Sequence, residues 1–368
     1  MTRLVLHFDV NKTVLVDDAI QRIDAATSCA QILYWASWGR VTRGRWVWNG
    51  EEPSLWSDDR QAVRYGDHVL ATPKLRRRRY ALKRDFLEPG QPGRPLRPWF
   101  DRMMEALTLS EATQEALRDQ PWAAAAGLDR GRVRLLPSFF KLMKHLHDAR
   151  RDFTLVFRTY GSDIPEVAAE LNAFCEGRHP EHPEVRLDGR AGGPDRRLDL
   201  GDPARFGVLH RGGHALDDAQ AITVGLGTLE RPADCDRAPF QNDLGETLAR
   251  SWRALDGAAA LRRHILDQGG TLAFRDDYAW WARHRFSARA GKPLRVDRGD
   301  AEHLEVFFDD NIFEDDARIV DVRDLHTGDP LRLRDALGRH LVRVSPFNAI
   351  LDEDYFIAQL QRCEAAAS

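Results

Sequence analysis

The stretch Leu4-Val5-Leu6-His7-Phe8-Asp9-Val10-Asn11-Lys12-Thr13 decides how this chain reads. Its apolar half, carrying β-branched and aromatic residues, predicts a buried strand from Leu4 to Val10, and its polar half predicts a turn just beyond. In an open parallel sheet ligands bind outside the carboxyl ends of the strands, where loops and helix N-termini converge. Asp9 is therefore the first candidate for chemistry.

Two later segments have the same form. Phe153 to Phe157 predicts a strand that closes on Arg158-Thr159-Tyr160-Gly161, and Leu304 to Phe308 predicts one that ends in Asp309-Asp310. Further strands are expected at 271–275 and 318–322. Apolar residues recur at helical spacing over 16–34, 98–108, 110–119, 136–149, 163–176, 256–268, 276–285, 332–338 and 352–366. Alternation of this kind predicts an α/β protein: a Rossmann-like parallel sheet with helices on both faces. Two stretches break the pattern. Residues 35–100 are punctuated by Trp35, Trp38, Trp46, Trp48, Trp56, Tyr65, Tyr80 and Trp99 and read as short strands and loops, while 178–245, rich in Gly, Pro, Asp, Arg and His, read as a loop-rich insertion.

The 368 residues carry 54 Lys+Arg against 57 Asp+Glu, a net charge of −3, which removes the case for bulk attraction to nucleic acid or an acidic membrane face. No apolar run approaches the ~18–20 residues that cross a bilayer. Cys29, Cys175, Cys235 and Cys363 lie far apart without a CxxC pair, so neither a disulfide framework nor a cysteine zinc site is expected. A cytoplasmic protein fits these features. Lysine is rare here, and Lys292 is the only one after Lys144, which singles it out.

Carboxylates on the first strand and on a later, non-sequential strand can share one hard cation; Mg²⁺ takes a few carboxylate and carbonyl oxygens and leaves other positions for water and phosphate. Asp9 would then approach an electrophilic phosphorus as a nucleophile, with the Thr159 hydroxyl and the Lys292 ammonium binding phosphoryl oxygens. This arrangement resembles the haloacid dehalogenase-like (HAD) superfamily. That family places a nucleophilic Asp in a D-x-D-x-T/V motif after its first strand, a Thr or Ser after the second, a Lys or Arg further on, and a DD or D-x(3,4)-D motif after a later strand. Asp9 to Thr13, Thr159, Lys292 and Asp309-Asp310 match these four in order. The resemblance implies a catalytic core of residues 1–16, 134–177 and 256–368, a cap insertion at 17–133 and a second, loop-rich insertion at 178–255. It also implies metal ligands Asp9, the backbone carbonyl of Asn11, and Asp310, with Asp309 paired to Lys292. The longer spacing of the acidic motif would bring in Asp315 instead.

One position departs from the family. Its second motif aspartate is the general acid and base, and here that position is Asn11. An amide cannot do this work, and general acid–base help is typically worth ~10²–10⁴-fold. The expectation is a slow or atypical Mg²⁺-dependent phosphohydrolase or phosphotransferase acting on a phosphorylated small molecule through an aspartyl-phosphate on Asp9. A fold retained only to bind a phosphorylated ligand or partner is the alternative. The run Lys74 to Arg84 raises a third, nucleic-acid end processing, although a solvated basic face is the commoner meaning of such a run. His179, His182, His210 and His214 read as loop histidines, not metal ligands.

Overall fold

In the computed structural model residues 2–16, 23–190, 192–212, 221–230, 254–313 and 315–367 are described. Ile20, His214, Cys235 and Glu314 lie outside them. In chain order the strands are β1 (Arg3–Asp9), β2 (Trp38–Thr42), β3 (Arg45–Trp48), β4 (Val63–Arg64), β5 (Phe153–Thr159), β6 (Phe206–Arg211), β7 (Ile222–Leu226), β8 (Ala254–Asp256), β9 (Thr271–Arg275), β10 (Lys292–Val296), β11 (His303–Asp309), β12 (Val320–Asp324) and β13 (Leu341–Arg343).

β1 is central because its side chains are apolar in both directions. Leu4, Leu6 and Phe8 enter one apolar cluster, whereas Val5 enters another on the opposite face. Phe8 stacks on Phe308 at 4.6 Å and meets Phe139 and Phe356 edge-on, so helices Pro137–Asp148 and Tyr355–Ala367 seat on that face. The sheet runs β13-β11-β1-β5-β9-β6-β7-β8. Every neighbouring pair from β13 to β6 is parallel, and β7 and β8 add antiparallel strands at one edge. The molecule is thus a mixed α/β protein with a mostly parallel central sheet. No helix of the described residues is long and apolar enough to cross a membrane.

Three expectations are corrected. The strand foreseen at 318–322 exists as β12, but it pairs with β10 in a separate two-stranded parallel sheet, whose Leu294, Val296, Val320 and Val322 pack on Phe307 and Leu341 of the main sheet, while helix Ala258–Gln268 packs on Val5 and Val156. The segment 178–245 is not all loop, since β6 and β7 lie within it and extend the main sheet. Gly207 disguises β6: a Cβ there would stand 2.7 Å from the Gly225 carbonyl oxygen, so the close approach of β7 excludes a side chain that would have marked the strand. The helix expected from residue 16 instead runs Ala25–Ala36, where Asp24 Oδ1 accepts from the Thr27 N–H at 2.7 Å and caps it.

Residues 35–100 do form short strands, followed by short helices. β2 and β3 make a hairpin whose turn residues Arg43 and Gly44 both have left-handed backbone (φ 50° and 75°), as a two-residue turn of this hand requires. Tyr34, Trp46, Tyr65 and Phe86 pack ring on ring and belong to the same apolar cluster as β1.

Candidate metal centre at the sheet edge

From β1 the chain moves to β5 and β9 on one side, and returns later with β11 and β13 on the other. Such a reversal of strand order opens a crevice at the carboxyl end of β1. Asp9 stands there, buried at 6 % exposure. In register with it are Arg158 on β5 and, one step beyond the pair Phe8 and Phe308, Asp309 on β11.

The turn after β1 folds back tightly. The N–H groups of Val14 and Leu15 both donate to the Val10 carbonyl at 3.0 and 2.9 Å, and Lys12, at φ 62°, takes the left-handed conformation needed to close it. This brings Thr13 beneath Asp9. Its hydroxyl donates to Asp9 Oδ2 at 3.3 Å and accepts from the Asp310 N–H at 3.3 Å, tying the first loop to the acidic turn across nearly the whole chain. Asn311 finishes that turn: its backbone N–H donates to Asp309 Oδ1 and its side-chain amide to Asp310 Oδ1, each at 2.8 Å.

Lys292 is fully buried and begins β10, not a loop. Its Nζ donates to Asp9 Oδ1 and, at 2.9 Å, to Asp309 Oδ2. Arg158, also buried, forks onto Asp276 through two bonds of 2.9 and 2.5 Å and donates to the Pro293 carbonyl at 3.2 Å, which braces β10 next to Lys292. The sequence gives no signal of this role for Arg158, a charged residue inside a strand, and Thr13 enters it only as the last position of the first motif.

One oxygen from each of Asp9, Asp309 and Asp310 lies within 4.8 Å of the others, close enough to hold a metal ion. Asp315 is exposed and outside this group, so the adjacent pair is the acidic motif that reaches the crevice. Burial pushes the Asp9 carboxyl well above the usual carboxylate range, Asp309 adds to this, and Lys292 opposes it. For Asp310 burial and then Asp309 raise the carboxyl to about 7, against the pull of Lys12 and Lys292. Burial works against the Lys292 charge, but Asp309 and Asp9 outweigh it and the group is held above its ordinary value.

Thr159 ends β5, buried, one residue past the partner of Asp9; its hydroxyl accepts from the Gly161 N–H at 2.8 Å and bonds none of the other site residues. Asn11 turns its amide nitrogen to Asp163 Oδ2 at 3.2 Å. Two further lysines face the group from outside. Lys12 Nζ donates to Gln31 Oε1 at 3.3 Å on helix Ala25–Ala36. Lys83, on helix Arg79–Arg84, is brought down to about 8 by burial and by Lys12, while Asp310 pulls it the other way. The rest of the basic run, Arg76 to Arg79, is exposed. His179 and His182 are packed against Phe140 and Phe174 and form no metal cluster among the described residues. No family model matches this chain, and no curated protein or solved structure matches it either.

Proposed function

We propose that the chain is a HAD-like, Mg²⁺-dependent phosphohydrolase or phosphotransferase that acts on a phosphorylated small molecule through an aspartyl-phosphate on Asp9. One observation carries this reading: a buried ammonium, Lys292, bonded to both Asp9 and Asp309, beside a third carboxylate whose oxygen completes a group 4.8 Å across. The donor set is hard oxygen without His or Cys, which suits Mg²⁺ and not Zn²⁺. Asp9, Asp310 and the Asn11 carbonyl would hold the ion, which would supply neutralising charge for the phosphoryl oxygens and the carboxylates. Charge supports the same conclusion. Lys292, Lys12 and Lys83 set positive charge against Asp9, Asp309 and Asp310, which suits a divalent cation bound together with a phosphoryl dianion.

Asp9 attacks phosphorus in line. Lys292 holds the attacking carboxylate in position and offsets charge on it, and the Thr159 hydroxyl binds a phosphoryl oxygen. Lys12 and Lys83, from the first loop and the insertion, favour an anionic substrate. The test is turnover of an activated aryl phosphate with and without Mg²⁺. Wild type should require the ion, and Asp9→Asn should lower turnover by roughly 10³-fold or more; activity indifferent to Asp9 would overturn the reading. A second reading, phosphate binding without turnover, is favoured by Asn11, which cannot exchange protons. For that reading Asn11→Asp should bring no gain, whereas a rise of about tenfold or more marks a competent site held back by the amide.

A further inference from the structure

Asn11 has one end fixed. Asp163, at 2 % exposure, precedes helix Ile164–Cys175, and its carboxylate can only accept, so the Asn11 amide must turn its nitrogen toward it. The opposite end, Asn11 Oδ1, is buried, and no donor among the described residues reaches it. A buried acceptor left without a donor costs about 1–3 kcal/mol. Asn11 is two residues beyond Asp9, in the turn that follows β1.

We propose that Asn11 is a positioning residue, oriented by Asp163, whose amide oxygen holds the water that attacks the aspartyl-phosphate on Asp9. This rests on the phosphoryl-transfer reading above. An amide takes no proton, but it can align a nucleophile through one accepted hydrogen bond, and alignment alone is worth orders of magnitude in rate. In the step the water oxygen bonds to phosphorus as the bond from phosphorus to the Asp9 carboxylate oxygen breaks. The electron pair returns to that carboxylate, opposite Lys292. Both water protons stay on the product, released as dihydrogen phosphate, so the step balances without a protein base.

The experiment labels the protein with ³²P-acetyl phosphate and Mg²⁺ and follows loss of label after an acid quench. Asn11→Ala and Asp163→Ala should both form the phospho-enzyme and keep it about 10–100 times longer than wild type. The double variant should live no longer than the longer-lived single, because the two residues act as one device. Unchanged lifetimes, additive effects, or variants that fail to label while wild type labels would overturn the inference. A structural role alone would depress labelling and release together. Should Asp163→Ala not fold, Asn11→Ala, in the loop after β1, gives the same decision. Wild type that takes no label, or label that survives Asp9→Asn, would sink the phosphoryl-transfer reading itself and this inference with it.

Discussion

Lys292 keeps two carboxylates in the interior of the protein, and it is the residue on which the site's electrostatics turn. Lys292→Met should destabilise the protein by about 3–5 kcal/mol, the usual cost of stranding a buried charge, as read from urea midpoints. A loss under about 1 kcal/mol would mean that Asp9 and Asp309 find another neutralising partner. Asp310 behaves oppositely. Its carboxyl rises in the folded state from the ordinary ~3.9 to about 7, so between these values the folded protein holds a proton that the unfolded chain lacks. Stability therefore falls as pH rises through that window and levels off above it. Asp310→Asn should flatten this slope and raise the melting temperature without added ion. Mg²⁺ should raise the wild-type melting temperature more at pH 8 than at pH 6, because the ion competes with that proton; equal shifts would contradict it. At this scale Asp9, Asp309 and Asp310 were legible because they follow predicted strands, and Lys292 because it is the lone lysine after Lys144. Asn311 and Asp163 were not, since each acts through a contact that only the fold creates.

β10 shows how an element sets a residue. Gly291 precedes it, and a Cβ there would fall 2.2 Å from the Ile319 carbonyl oxygen, while the Gly291 carbonyl accepts from Arg211 Nη1 at 2.7 Å. Gly291→Ala should push β10 away from β12 and carry Lys292 out of place. The expected result is a stability loss of about 1–3 kcal/mol with turnover lowered in parallel; normal turnover would show that Lys292 tolerates movement of its strand. At the start of helix Ala25–Ala36, Asp24→Ala should cost about 1 kcal/mol. Hydrogen bonds from Thr27 hold the Asp24 carboxyl below its ordinary range, so the cap's contribution is present at neutral pH and fades as pH falls through that lowered value. Periodicity made β1, β5, β9 and β11 readable. It failed for β10, where Lys292 and Pro293 occupy the first two positions, and for β6, where Gly207 and the closing His210 and Arg211 leave only a brief apolar run.

The main sheet and the first insertion share one apolar cluster, running from Leu4, Leu6 and Phe8 through Tyr34, Trp46, Tyr65 and Phe86. A shared interior predicts a single cooperative transition. Tryptophan fluorescence, which draws heavily on Trp35 to Trp122, and far-ultraviolet dichroism should give coincident urea curves. Separate transitions would show that the insertion folds by itself. The alternating α/β order was readable at this scale, whereas the side ribbon β10–β12 was not, because nothing local says which sheet a short strand joins. The central place of β1 has a consequence for the making of the protein. This strand is made long before one of its neighbours, β11, which begins only at His303. At ~5–20 residues per second a ribosome needs roughly 15–60 s to cover that distance. For that interval one flank of β1 offers unmet N–H and C=O groups to any passing chain, a period in which a chaperone's hold would matter most.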